Sequence, residues 1–158
     1  MRKEIINPVR DRPPAEPQEK WLDLERAARV EVSSEDPNFP IEHALTFGGG
    51  SGWRAAEKGE QTIRLIFDEP RVLRRIRLEF VETALDRTQQ FCLRWSQTPN
   101  AQPREIVRQQ WNFSPDGSTH EVEDYRVNLS GVTTLELVVN PDLSSSGMLA
   151  SLASWRIA

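Results

Sequence analysis

The sequence predicts an all-β protein, an antiparallel two-sheet sandwich of the jelly-roll kind with about eight strands. Apolar side chains alternate with polar ones along successive short segments, and turn-forming residues separate those segments. A strand that alternates in this way has one buried and one solvated face, so a second sheet is needed to cover the buried face. The length of 158 residues is sufficient for one domain with a proper core.

The first residues predict an arm outside the sandwich. Residues 1–18 contain charged side chains interrupted by prolines at positions 8, 13, 14 and 17. Proline disfavours both helices and central strands. We therefore expect a flexible, proline-rich arm over residues 1–18 and a single β-sandwich domain over residues 19–158. Residues 21–28 fit either two turns of an amphipathic helix or a strand, and both interpretations stay open.

The strands are predicted from period-two alternation. A first strand covers residues 29–35, a glycine-rich loop leads to Trp53, and a second strand covers residues 61–67, where Ile63, Leu65 and Phe67 share one face. The later stripes are Ile76, Leu78 and Phe80; Phe91, Leu93 and Trp95; Val107, Gln109, Trp111 and Phe113; Tyr125, Val127 and Leu129; Leu135, Leu137 and Val139; and Ala153, Trp155 and Ile157. Turns are predicted at residues 58–59, 68–71, 86–88, 99–100, 114–117, 130–131 and 140–147.

Three of the alternating side chains are predicted to lie in a shared core. Phe80, Leu93 and Trp155 each complete a stripe on a separate strand. Trp53 is also expected in the core, because it re-enters apolar surroundings after the glycine-rich loop.

Composition excludes several classes of partner. The net charge is −4 and the pI is about 5.3, so no general positive field is present to hold nucleic acid or an anionic membrane.

Cys92 is the single cysteine, and no apolar run reaches the length of about 18 residues that a membrane-spanning helix needs. The amino end lacks the apolar core of a signal peptide, and we expect a cytoplasmic protein.

The sequence shows no catalytic constellation. His43 and His120 have no ligand-spaced neighbours, so no metal site is predicted, and no cofactor is expected. Cys92 is interpreted as a packing thiol in a strand. Glu121 and Glu123 share one face of a strand, and we expect that face to be solvated. The glycine-rich loop lacks the Lys-Ser/Thr pair of a phosphate-binding loop and is interpreted as a structural turn.

Several short motifs resemble a known family. They are Ser33-Ser-Glu35, Ala44, Gly52-Trp-Arg54, the stretch 61–70, the stretch 73–78 and the stretch 91–96. Together they resemble discoidin or coagulation-factor C-type domains and the related bacterial galactose-binding carbohydrate modules. The resemblance implies an eight-stranded, galactose-binding-domain-like jelly roll with ligand contacts at one end, from the loop before Trp53, the loop near Lys58 and the loop over residues 83–89.

The resemblance also implies site residues. Glu35 matches an acidic residue that follows the first strand in some sugar-binding members, Arg54 stands where a histidine often follows the tryptophan, and Arg87 stands where a sugar-contacting arginine often lies. His43 is a further candidate from the preceding loop. Carboxylates and guanidinium groups suit sugar hydroxyls or an acidic ligand. Arg54 and Arg87 are equally consistent with simple surface charges. Ser154 replaces the usual acidic residue of the last strand, which argues against a structural calcium ion.

The predicted function is a non-catalytic ligand-binding module that binds carbohydrate at the loop end of the sandwich. The alternative is a cytoplasmic protein–protein interaction module on the same fold. Fold alone does not separate a carbohydrate ligand from a protein ligand. An enzyme is not expected, because acid, base and nucleophile candidates are not gathered in the sequence.

Overall fold

The computed structural model describes residues 20–48 and 50–158, and the predicted arm lies outside them. Two single-turn helices occur, α1 Leu24–Ala27 and α2 Glu42–Leu45. The strands are β1 Ala28–Val32, β2 Trp53–Lys58, β3 Gln61–Val81, β4 Arg87–Ser96, β5 Arg104–Phe113, β6 His120–Asn140, β7 Leu149–Leu152 and β8 Ser154–Ile157. The segment left open in the sequence therefore forms one helical turn that leads directly into β1.

Two long strands build both layers of the sandwich. The amino-terminal half of β3 and the carboxyl-terminal half of β6 form a layer with the order β1-β3-β6-β4-β5. The other halves of β3 and β6 form a second layer with β8. Strands β2 and β7 pair as a separate two-stranded ribbon. All pairings are antiparallel, which confirms the predicted two-sheet, eight-stranded jelly roll.

The turns predicted at residues 68–71 and 130–131 are wrong, because both strands continue through them. The pairing of β3 with β6 is instead interrupted by register shifts between Ile66 and Arg75. Pro70 has no N–H to donate to a ladder, and Gly131 adopts a φ of 66°. These residues thus form bulges where the two strands pass from one layer to the other.

The core lies between the layers. Phe80, Leu93 and Trp155 have no exposed surface, which confirms their predicted positions. The rings of Phe80 and Phe91 stack with centroids 5.3 Å apart, and so join the second layer to β4 of the first. Trp53 is also buried, as predicted, and its indole Nε1 donates to the carbonyl oxygen of Ser34 at 3.1 Å.

Replacing Phe80 by alanine is expected to destabilise the domain by about 3 to 5 kcal/mol, because the change opens a cavity between the layers. Chemical unfolding of the two proteins measures the difference. Val72→Ala is the control, since Val72 is 52% exposed and its truncation should change stability by no more than about 0.5 kcal/mol. Equal stability of Phe80→Ala and the parent protein would contradict the assigned core.

Candidate functional site

A cleft of about 350 Å³ opens at one end of the sandwich, and we call it the Arg54–Arg87 cleft. Three chain segments line it: β2, the end of β3 with the following loop up to the first residue of β4, and the segment around β7. Its lining residues are Arg54, Lys58, Val81, Glu82, Ala84, Leu85, Arg87, Gly147, Met148, Leu149 and Ser151. Two of the four predicted site residues are therefore brought together.

The pairing of β2 with β7 sets one wall of this cleft. Arg54 lies opposite Ser151, and Lys58 lies opposite Leu149. Past the end of β2, the N–H of Gly59 donates to the carbonyl oxygen of Met148 at 2.9 Å. This ribbon therefore brings two cationic side chains of β2 next to a segment about ninety residues away in sequence.

Arg54, like Lys58, is an exposed cation of the cleft. Its guanidinium lies over the ring of Phe39, 4.7 Å from the centroid. Its backbone N–H donates to the carbonyl oxygen of Phe39, and its carbonyl oxygen accepts from the N–H of Asp36. The arginine is thus held by its backbone and by a cation–π contact while its charge remains accessible to a ligand.

Arg87 is buried, in contrast to the exposed rim arginine that the sequence suggested. Its side chain is 1% exposed and donates to Glu82 at 2.8 Å, to Gln89 at 3.0 Å and to the carbonyl oxygen of Pro141 at 2.9 Å. The guanidinium also lies over the ring of Phe113. The physical reason is strand parity, because Arg87 alternates in phase with the buried Gln89 and Phe91 on β4.

Glu121 is also buried, so the solvated surface expected for it is wrong. The Nε2 of Gln89 donates to its Oε1 at 3.0 Å, while Oε2 is buried and has no hydrogen-bond partner among the described residues. Burial, followed by the neighbouring Glu123 carboxylate, raises the pKa of Glu121 to about 8. Arg87, Gln89 and Glu121 therefore form a polar group inside the sandwich, beneath the cleft.

Glu35 and His43 do not line the cleft. The Oε1 of Glu35 lies 3.5 Å from the backbone N of Ile41, within its own loop. His43 belongs to α2, where its ring faces Gly50 and its Nδ1 is buried without a hydrogen-bond partner in the described part of the chain. Binding by any of the four candidates stays a prediction; the fold brings Arg54 and Arg87 to one cleft, where Arg54 is exposed and Arg87 is buried.

Sequence reasoning missed the segment over residues 147–151 as part of the site. Residues 140–147 were recognised as a turn, but the pairing of β2 with β7 has no local signal. Gly52 is the one clue, since its φ is 85° and a side chain there would collide with the main chain at Leu152 and Ala153. Gly52 thus packs against the junction between β7 and β8, and the glycine loop does not line the cleft.

The remaining chemical candidates are structural. Cys92 is buried, as expected, and burial raises the pKa of its thiol. Among residues 20–48 and 50–158, no group of three or more histidine, cysteine, aspartate or glutamate side chains is arranged to hold a metal ion. No helix in that same part of the chain has the length and apolar character required to cross a membrane.

Comparison with solved structures identifies the fold. A family 32 carbohydrate-binding module of a Clostridium perfringens family 89 glycoside hydrolase, in complex with GalNAc-β-1,3-galactose, superposes with a TM-score of 0.62 at 16% identity, covering 87% of this chain and 99% of that chain. The family 32 module of Clostridium perfringens NanJ, in complex with galactose, gives 0.56 at 12% identity over 87% and 96%. The family 32 module of AlyQ, in complex with 4,5-unsaturated mannuronic acid, gives 0.57 at 18% over 89% and 98%.

The β-sandwich has the fold of these family 32 carbohydrate-binding modules. No protein-family model matches the sequence, and no curated protein matches it. The likeness is thus carried by the β-sandwich itself, with the Arg54–Arg87 cleft at its end.

Replacing Arg87 by glutamine is expected to lower the free energy of unfolding by about 2 to 4 kcal/mol, because Glu82 and Gln89 lose a buried charged donor. Urea denaturation measures this change. The matched control is Arg26→Gln, whose side chain is 90% exposed and whose loss should be nearly neutral. If both variants unfold like the parent protein, the buried position of Arg87 is contradicted.

The buried Glu121 predicts a pH dependence of stability. A carboxyl whose pKa rises on folding from 4.5 to about 8 holds its proton more tightly in the native state. The associated stabilisation is complete below about pH 4.5 and is lost as the pH rises toward 8. Between about pH 5 and pH 8, the free energy of unfolding should therefore fall more steeply with pH in the parent protein than in Glu121→Gln.

Urea unfolding across that pH range tests the difference between the two slopes. Glu60→Gln is the control, since Glu60 is an exposed glutamate whose change should leave the slope of the parent protein intact. A Glu121→Gln slope equal to that of the parent protein would show that Glu121 does not carry the effect.

Proposed function

We propose that the chain is a non-catalytic carbohydrate-binding module whose ligand occupies the Arg54–Arg87 cleft. The observation that carries the proposal is the convergence of Arg54, Lys58 and Glu82 on a cleft with apolar walls at the end of the sandwich. Three similarly folded modules are described as complexes with sugars. The fold supports the proposal, and the cleft supplies the chemistry.

The polar groups of the cleft suit the hydroxyls of a sugar. Arg54 and Lys58 present N–H donors, the hydroxyl of Ser151 donates and accepts, and the carboxylate of Glu82 accepts. Hydrogen bonds with one charged partner are stronger than neutral ones. A ligand rich in hydroxyl groups would therefore find both donors and acceptors within one concave surface.

The apolar groups of the cleft suit the C–H faces of a sugar ring. Leu85 is 47% exposed and Leu149 is 40% exposed, and Met148 lies beside Leu149. Among the described residues that line the cleft, none is aromatic. Leucine and methionine side chains would thus provide the apolar contact that a pocket of this size needs to exclude water.

The acidic groups of the cleft argue for binding without catalysis. Glycoside hydrolysis in most enzymes uses two carboxyl groups on either side of the bond that is cleaved. Among the described lining residues, Glu82 is the one acid, and it is already engaged by Arg87 at 2.8 Å. This arrangement provides a positioned acceptor for a hydroxyl but no general acid and base pair.

A glycan array identifies the sugar, and calorimetric titration of that sugar tests the cleft. Arg54→Ala should weaken binding roughly ten- to a hundredfold, because a charged hydrogen-bond donor is lost, and should leave stability almost unchanged because Arg54 is exposed. Arg29→Ala on β1 is the control, since its side chain is 65% exposed and lies outside the cleft.

Two results would contradict the proposal. Equal affinity of Arg54→Ala and Arg29→Ala would place the sugar elsewhere on the molecule. An array without any bound glycan, together with capture of a protein partner whose binding depends on Arg54, would favour the protein-interaction alternative.

A further inference from the structure

A second concave surface lies on the outer face of the three-stranded layer, and we call it the sheet-face groove. It has a volume of about 770 Å³, and its charged and aromatic lining consists of Lys20, Trp21, Phe47, Arg75, Arg77 and Arg156. None of these residues lines the Arg54–Arg87 cleft. The volume falls within the range of known ligand sites.

One pair of like charges faces each other across the strands of this groove. Arg77 on β3 lies directly opposite Arg156 on β8. On the other side of β3, Arg77 lies directly opposite an acid, Asp124 of β6. Like charges that are directly opposite in an antiparallel pair destabilise a sheet. An anion placed between the guanidinium groups of Arg77 and Arg156 would reduce this repulsion.

Among the described residues, two acids lie beside the cations of this groove. Arg75 forms an ion pair with Asp124 at 2.6 Å. Arg77 lies 3.6 Å from Glu79, and that carboxylate is also approached by His120 at 3.1 Å. Neither of these two acids forms an ion pair with Arg156 or Lys20, and the net charge of the whole chain is −4. The positive charge of the groove is therefore a local feature.

Arg156 is held in place without an acidic partner at ion-pair distance among the described residues. Its guanidinium donates to the carbonyl oxygens of Ala44 and Trp155, at 3.0 and 3.2 Å, and of Thr46 at 3.0 Å. Burial, and then the charge of Arg77, lower the pKa of this guanidinium from its ordinary value. Carbonyl oxygens orient the cation but do not neutralise it, so its charge is available to a ligand.

Two aromatic rings complete the groove. The guanidinium of Arg75 lies over Trp21, and that of Arg156 lies over Phe47, each 4.7 Å from the ring centroid. Phe47 is nevertheless 59% exposed. Stacking on a ring restricts the conformations of an arginine side chain before a ligand binds. The side chain therefore loses less entropy on binding.

We propose that the sheet-face groove binds an anionic carbohydrate chain through the carboxylates of its uronic acid units. Planar guanidinium groups match carboxylates in a two-pronged geometry, and the exposed ring surface between the cations suits the apolar faces of the sugar rings. The negative net charge of the chain disfavours a nucleic acid. The proposal is independent of the sugar in the Arg54–Arg87 cleft, because the two surfaces share no lining residue.

The test is calorimetric titration of the full chain with an oligogalacturonate of about six units. Arg77→Gln should weaken binding roughly tenfold, because one charged contact is removed. Arg29→Gln is a matched control: Arg29 and Arg77 each lie 3.6 Å from a glutamate two positions later on the same strand. The control should leave affinity unchanged. Raising the salt concentration from about 0.05 to about 0.3 M should weaken binding several-fold.

Four further measurements test the groove and the chemistry of its ligand. The same oligosaccharide with its carboxyls reduced should not bind, and equal binding would overturn the role of charge. Arg54→Ala should retain affinity, and loss of binding would place the uronate in the Arg54–Arg87 cleft instead. The thermal midpoint of Arg77→Gln should stay close to that of the parent protein, since relief of the repulsion from Arg156 offsets the lost attraction to Glu79 and Asp124; a clear fall would make Arg77 structural. Polyglutamate of matched length should bind more weakly, and equal affinity would overturn the carbohydrate assignment.

Discussion

The antiparallel pairing of β3 with β6 is the interaction on which the rest of the structure depends. It runs from Gln61 opposite Val139 to Val81 opposite His120, and its register shifts allow both strands to contribute to both layers. Strands β1 and β4 extend one half of this pair, and β8 extends the other. Because the same two strands connect the layers, the stacking of Phe80 on Phe91 closes the sandwich without any need for a separate connecting element. Loss of that pairing would remove both layers together, so cooperative unfolding is expected of the domain.

The interior changes from apolar to polar toward the cleft. Phe91 and Leu93 are buried among hydrophobic side chains, whereas Arg87 and Gln89, earlier on the same face of β4, contact Glu82, Glu121 and the carbonyl oxygen of Pro141. A buried polar network contributes little net stability compared with an apolar core, but it fixes the positions of its members. Here it holds the segment after β3 and the segment after β6 to the start of β4. The walls of the Arg54–Arg87 cleft are therefore positioned from inside the sandwich.

The sequence predicted most of the fold because alternation is a local property. The stripe of Ile63, Leu65 and Phe67 and that of Ile76, Leu78 and Phe80 are buried as expected. The turns at Pro70 and Gly131 were wrong because such residues also form bulges, and the pairing of distant strands decides which of the two occurs. The burial of Arg87 and Glu121 was missed because charged residues are usually exposed. The position of each residue in the alternation of its strand could be read from the sequence. The burial of both residues depends on β4 and β6 facing each other across the sandwich. The cleft itself depends on Lys58 lying opposite Leu149, which no local pattern encodes.

Positive charge is compensated differently on the two outer faces of the sandwich. On the outer face of the five-stranded layer, Glu136 lies between Arg64 and Arg94 on neighbouring strands, and each of its two carboxylate oxygens is 2.7 Å from a nitrogen of one guanidinium. On the outer face of the three-stranded layer, Arg77 lies between an acid, Asp124 of β6, and a like charge, Arg156 of β8. Both sites use the same cross-strand geometry, so an acid at position 156 would have avoided the repulsion. The fold avoids repulsion between like charges on one face and retains it on the other, where it lowers stability locally. This pattern is expected where the charges bind a ligand. Arg156 also ties the end of α2 to β8 through Ala44 and Thr46, which fixes its place. Its charge, together with that of Arg77 across from it, is the charge that an anion in the groove would compensate.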